Sequence, residues 1–400
     1  MKLLTSIILS LFSLPVSAWD IGGQKTPAMG FNTQVTHSYS SYIYTLIRET
    51  ATTMKARGFL DAGYTFINID DCWNTKTRDS NGQLVVDATK FPSGMKNLTD
   101  FLHDLGFKAG EDQGTATCAG FAGSLFHELT DARTFAEWGF DYVKIDNCNS
   151  GSFNGTNPER FQRWTDALTQ VKNETGRIIF YSLVEWQGFD AWTWGPSIAN
   201  AWRIYDDISA DWRRIKQILN NASFLGDFSD FSRHNDLDML ENGNGALTLA
   251  EQRSHFTAWA LTKSLLLVGT DVAALSQESV DILLNPDIIA INQDTSIGEP
   301  VKPFFWGKNP DGTWDPAFPA QYWSGFVGDE KHTAVMYINF NEETVDLNFT
   351  FSQSGHLDGD KEYNVRDLWK QEEIGSFKEY FFEGGIEAHD VRAYMFTEVL

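Results

Sequence analysis

Short runs of β-branched and aromatic residues recur along the first three quarters of the chain, and polar or acidic residues repeatedly close them. Residues 64–73 run through an apolar stretch into Asp70 and Asp71, and residues 141–148 carry Lys144 and Asp146. Residues 178–186 reach Glu185, residues 201–208 reach Asp206 and Asp207, and residues 234–239 hold Asp236 and Asp238. Amphipathic stretches with helical spacing separate them, at 49–61, 95–105, 131–138 and 158–171. Strand alternating with helix over this length predicts parallel βα units. One acid at a strand end is ordinary turn or cap chemistry. Acids at the ends of several strands predict a (β/α)8 TIM barrel, whose active site gathers at the C-terminal ends of its strands.

The period changes after residue 294. Residues 333–340, 345–351 and 391–396 alternate apolar and polar positions in short runs, which predicts a C-terminal antiparallel β-sandwich domain. A chain of 400 residues exceeds what one core usually encloses. The expected organisation is a catalytic barrel over 19–295, a Pro-, Gly- and Trp-rich connection over 296–322, and the β domain over 323–400.

Residues 1–18 combine a lysine, an apolar run and a small-residue end, the pattern of a secretory signal peptide, so the mature protein is expected to be secreted. Asn-x-Ser/Thr sequons at Asn97, Asn154, Asn173, Asn221 and Asn348 are then candidate glycosylation sites. A formal charge of -23 argues against nucleic acid and anionic membrane surfaces as partners. The three cysteines permit at most one intramolecular bridge. The eight histidines form no metal-binding spacing, and neither a Gly-rich phosphate loop nor a Gly-x-Ser-x-Gly elbow occurs, so no metal and no cofactor are expected.

The 141–148 segment carries the sharpest chemistry. Side chains two apart on a strand share a face, so Lys144 and Asp146 project together, and the cation is expected to keep Asp146 ionised. Asp206 and Asp207 are neighbours, so only one of them enters a site at that strand end.

Several segments together resemble glycoside hydrolase family 27, which contains the eukaryotic and fungal α-galactosidases. They are 26–30, 68–73 with Asn68-Ile-Asp-Asp-Cys-Trp73, 91–95, 115–120, 134–139 and 144–148 with Lys144-Ile-Asp-Asn-Cys148. Trp202 and Arg203 with Asp207, Arg253 to Phe256, and Asn292-Gln-Asp294 continue the family order over almost the whole chain. The resemblance implies a retaining hydrolase that releases terminal α-linked galactose. It assigns Asp146 as nucleophile and Asp207 as acid/base, the second needing to hold a proton near working pH. Asp70 and Asp71 would bind the 4- and 6-hydroxyls and Lys144 the 3- and 4-hydroxyls. Glu185 and Arg203 would bind the 2-hydroxyl, and Asp238 would order the floor. It also implies a Cys118–Cys148 disulfide beside the sugar, with Cys72 outside any bridge.

The chain departs from the family at several places. Phe31 and Gln34 replace two aromatics, His234 a tryptophan, Leu237 a proline and Val184 a cysteine. Residues 108–114 lack two positions, including a tyrosine, which predicts a shortened or bulged third strand. These departures keep open an altered specificity, of the β-L-arabinopyranosidase or α-N-acetylgalactosaminidase kind, and a catalytically weak secreted sugar-binding protein. A carboxylate at Glu185 would clash with an N-acetyl group and favours a free 2-hydroxyl.

Overall fold

A computed structural model describes residues 24–33, 43–186 and 188–399. The expected signal peptide and Gln34 lie outside the described residues. Eight parallel strands form one curled sheet: β1 Met29–Asn32, β2 Phe66–Ile69, β3 Lys108–Gly114, β4 Tyr142–Asp146, β5 Phe180–Leu183, β6 Ala201–Arg203, β7 His234–Asp236 and β8 Leu266–Val268. Their spatial order is β7-β6-β5-β4-β3-β2-β1-β8. The circle closes by a single parallel bridge between Leu240 and Val268, where Leu240 N–H donates to Leu267 O and Gly269 N–H to Leu240 O. The fold is a (β/α)8 barrel.

The helices are α1 Ile43–Ala56, α2 Gly94–Leu105, α3 Glu128–Trp138, α4 Asn157–Thr175, α5 Ala191–Trp194, α6 Trp212–Ala222, α7 Leu249–Leu261, α8 Gln277–Leu283 and α9 Pro286–Asn292. In α1 the buried stripe Ile43, Ile47, Ala51 and Met54 keeps helical spacing, so the chain is already helical at Ile43, ahead of the expected residue 49. The N-terminus of α4 is fixed by a capping box, in which Thr156 and Glu159 satisfy each other's backbone N–H groups. None of the described helices is long and apolar enough to cross a membrane.

The third strand is neither short nor bulged. With seven residues it is the longest of the barrel, and it runs in unbroken register with both neighbours, Phe66 opposite Lys108 and Gly110 opposite Tyr142. It is hard to read because Glu111, Asp112 and Gln113 are all buried within it. Gly110 allows Asn68 to pack directly against the strand: a Cβ there would lie 2.0 Å from Asn68 Oδ1.

Beyond the barrel lies an antiparallel sheet ordered β14-β13-β16-β11-β10-β9, with a second pair β12-β15. These strands are β9 Lys302–Phe305, β10 Tyr322–Val327, β11 Asp329–Ile338, β12 Val345–Thr350, β13 Glu362–Asp367, β14 Glu372–Lys378, β15 Tyr380–Ile386 and β16 Val391–Glu398. Alternation along β11 explains the layering. Val335 and Tyr337 join Phe349, Phe381 and Phe396 between the two sheets, whereas Ala334, Met336 and Ile338 belong to the core shared with the barrel. β9 lies within the stretch expected to be a connection; as an edge strand it tolerates Pro303.

Candidate active site

Asp146 is the last residue of β4, Asp70 and Asp71 follow β2, Arg203 ends β6, and Asp236 ends β7. The barrel thus brings to one rim side chains that lie far apart in sequence. Lys144 is the hub. Its Nζ lies 2.6 Å from Asp70 Oδ2, 3.0 Å from Asp112 Oδ2 and 3.8 Å from Asp146 Oδ2. Arg203 forms a second hub, with its guanidinium 2.7 Å from Asp238 Oδ2 and 2.9 Å from Asp207 Oδ1. Asp207 also accepts from Trp186 Nε1 at 3.2 Å. Asp207 is therefore the member of the Asp206–Asp207 pair that meets Arg203.

The electrostatics reverse the expected order. Burial pushes Asp146 up, and Lys144, shared among three carboxylates, does not bring it back to the ordinary range. For Asp70 burial also opposes the charge, but the adjacent ammonium outweighs it and holds the carboxyl low. Asp207 is partly enclosed, yet Arg203 and Trp186 hold it below the ordinary range. Lys144 was expected to lower Asp146 and the surroundings to raise Asp207; without substrate the structure has the opposite. The cause is geometric, since the cation nearest Asp146 is committed to Asp70 and the cation beside Asp207 is Arg203.

The other sequence candidates divide. Asp71 accepts from Ala119 N–H at 2.7 Å and so ties the β2 rim to the loop carrying Cys118. The Cys118–Cys148 disulfide is present and joins that loop to the end of β4; Cys72 is buried and takes no part in it. Asp238 adds to its Arg203 contact a bond from Ile208 N–H. Glu185 is turned inward. It is 0% exposed, accepts from Asn147 Nδ2 at 2.7 Å and lies 3.6 Å from Arg160, and burial raises its carboxyl to about 7. Its grip is on the residue that follows Asp146.

Asn97, Asn154, Asn173 and Asn348 are exposed. Asn221 is a poor glycan acceptor, because the Nδ2 that a glycan would occupy donates to Ile204 O at 2.7 Å. Three site residues escaped the sequence reading. Asp112 lies in the strand expected to be shortened or bulged, and the run Glu111-Asp112-Gln113 is its signal in the sequence. Asp236, raised by burial to about 6, was visible as a strand-end acid but received no role. Trp186 carries no signal beyond following Glu185.

The comparisons agree with this architecture. A family model described as alpha galactosidase A matches residues 31–294, and one described as alpha galactosidase C-terminal beta sandwich domain matches 317–396. A relative from Aspergillus oryzae named "Probable alpha-galactosidase B" is 38% identical, covering 94% of this chain and 94% of its own. The crystal structure of alpha-galactosidase I from Mortierella vinacea superposes with a TM-score of 0.83 at 33% identity, covering 93% of this chain and 96% of that one. The Saccharomyces cerevisiae alpha-galactosidase structure with raffinose gives 0.82 at 29% identity, with 94% and 98% covered. The chain belongs to the alpha-galactosidase, or melibiase, family, glycoside hydrolase family 27.

Proposed function

We propose that the chain hydrolyses terminal α-linked D-galactosides with retention of configuration, Asp146 acting as nucleophile and Asp207 as acid/base. One observation carries the reading: Asp146 shares the Lys144 hub at the end of β4, while Asp207, just past β6, is held by Arg203 and Trp186. Asp146 attacks the anomeric carbon as Asp207 gives its proton to the leaving oxygen. A water then loses its proton to Asp207 and attacks the same carbon, releasing Asp146 and galactose.

Asp207 starts low, so substrate has to raise it. A sugar 2-hydroxyl that takes up the Arg203 donor, together with water leaving the site, has that effect. Asp70, Asp71 and Lys144 bind the 3-, 4- and 6-hydroxyls in this reading, and Asp238 holds Arg203 in place. Glu185 sets the β4 end through Asn147. The relative bound to raffinose supports oligosaccharide α-galactosides as substrates. Secretion after cleavage near residue 18, a barrel over 19–295 joined through 296–322 to a β domain over 323–400, and glycans on Asn97, Asn154, Asn173 and Asn348 complete the proposal.

The test is hydrolysis of p-nitrophenyl α-D-galactopyranoside by the wild type, Asp146→Asn and Asp207→Asn. Each variant should lose about 10²- to 10⁴-fold in kcat, the range for deleting an acid–base or nucleophilic group. Proton NMR should show α-galactose as the first product. Folded wild-type protein without turnover would refute the activity, and β-galactose appearing first would refute the roles.

A further inference from the structure

The floor of the site holds more acid than the proposed reaction uses. β2 pairs Ile69 with Glu111, and β3 pairs Asp112 with Lys144, so Asp70, Asp112 and Lys144 form a row across three strands. Asp146 lies two residues beyond Lys144 on the same face. Asp112 is the most enclosed of the three carboxyls, 3% exposed against 5% for Asp70 and 8% for Asp146. Lys144 spends its closest contact on Asp70, and although its Nζ comes to 3.0 Å from Asp112 Oδ2, neither Asp112 oxygen accepts a well-directed hydrogen bond. The groups that face Asp112 are Asp146 and Lys144 from β4, and Asp70 and Asp71 from the end of β2.

Three carboxylates cannot all stay ionised out of water around one ammonium, because desolvation and mutual repulsion both favour binding a proton. Asp112 is where that proton is best kept. Burial, then the charge of Asp146, hold its carboxyl well above the ordinary range. A protonated carboxyl is a donor, and the acceptors within its reach are the carboxylates of Asp146 and Asp70.

We propose that Asp112 is a positioning residue for this reaction, a neutral carboxylic acid on β3 that donates a hydrogen bond to Asp146 and holds it oriented and ionised. The inference rests on the reading of Asp146 as nucleophile. No proton is transferred in the catalytic cycle; the acid stays protonated throughout. Asp112→Asn keeps the shape and a neutral donor, whereas Asp112→Ala removes the donor.

The experiment is the pH profile of the pre-steady-state rate of p-nitrophenol release at saturating p-nitrophenyl α-D-galactopyranoside, for the wild type and both variants, with thermal melts to establish folding. This rate reports the complex, where substrate raises Asp207 and the acid limb belongs to Asp146. Asp112→Asn should stay within about three-fold of wild type and leave the acid limb in place. Asp112→Ala should lose about ten-fold and move the acid limb upward by roughly half a unit or more, because Asp146 becomes easier to protonate. An acid limb that moves down in Asp112→Asn would mean that Asp112 is ionised in the wild type, and would overturn the proposal. So would profiles unchanged in both variants. If Asp112→Ala fails to fold, the position of the Asp112→Asn limb decides alone, staying put in support or moving against. Failure of the underlying reading is seen separately, as a wild type without turnover or an Asp146→Asn variant that retains it.

Discussion

At the residue scale, the ionisation of the two proposed catalytic acids depends on which cation each one meets. Arg203 touches Asp207 at 2.9 Å, closer than Lys144 comes to Asp146 at 3.8 Å. In the free protein Asp207 therefore sits low and Asp146 high, so the productive form, with Asp207 protonated and Asp146 ionised, is a minor one. Productive binding must draw Arg203 toward the sugar and dry the surroundings of Asp207, whose side chain is 58% exposed without it. With Asp207 low and Asp146 high, the acid limb of kcat/KM, which reports the free enzyme, follows Asp207 and its alkaline limb follows Asp146. Arg203→Gln should therefore move the acid limb of kcat/KM upward by raising Asp207 in the free protein, where only the cation's pull is lost. An acid limb left in place would mean that Arg203 does not hold Asp207 low. The types of these residues were legible in the sequence. The sharing of Lys144 among Asp70, Asp112 and Asp146 was not, because it depends on pairing between three strands distant in the chain.

At the element scale, strand ends and loops aim the site, and legibility tracked hydrophobic pattern. Strands β2, β4, β5 and β6 were readable because apolar runs lead directly to polar ends. β3 was misjudged because two missing positions predict a shortened or bulged strand, whereas its ladders to β2 and β4 keep all seven residues extended and in register. β9 escaped because Lys302-Pro-Phe-Phe305 has too few residues to show alternation. The close contact of β3 with β2 yields a prediction: Gly110→Ala drives a Cβ to 2.0 Å from Oδ1 of buried Asn68 and 3.1 Å from Cβ of buried Tyr142. It should cost about 1–3 kcal/mol by overpacking, read as a lower midpoint in urea unfolding. The disulfide makes a second. Cys118 and Cys148 are 30 residues apart and join the β3 loop to the end of β4, two residues past Asp146. Replacing both with serine should cost about 2–4 kcal/mol by freeing the unfolded chain, and should lower kcat as the β4 end loosens. Unchanged kcat at a temperature where the variant is fully folded would confine the bridge to stability.

At the scale of the whole molecule, the unusual quantity is the number of acids buried with incomplete neutralisation. Burial raises Glu185 and Glu241 to about 7 and Asp236 to about 6, and it holds Glu111 and Asp112 well above their ordinary values. A raised acid keeps in the folded state a proton that the unfolded chain has already lost. Its contribution is fully present below the unfolded value and is lost as pH rises through the folded one, here between about pH 4 and 7 for the groups with given values. Several groups act the other way. Buried His234 and His255 are lowered to about 3, so their contribution is present above the ordinary 6.5 and is lost as pH falls toward 3. Asp70, held low by Lys144, likewise contributes above its ordinary value and loses that only in strong acid. The raised acids outnumber the lowered bases, the two histidines and Lys263, which burial brings down to about 8, so the folded state carries the excess of protons from mildly acidic to neutral pH. Stability should then peak near about pH 5 and decline toward pH 8, with the melting temperature falling by about 5 °C or more across that span. Glu111→Gln offers a control outside the row of Asp70, Asp112 and Lys144. Glu111 lies next to Asp131, and making it permanently neutral should flatten the decline while leaving the melting temperature at pH 5 nearly unchanged. A melting temperature that rises from pH 5 to 8 in the wild type would show that these carboxyls are ionised in the folded protein, and the single shared proton inferred at Asp112 would fall with them.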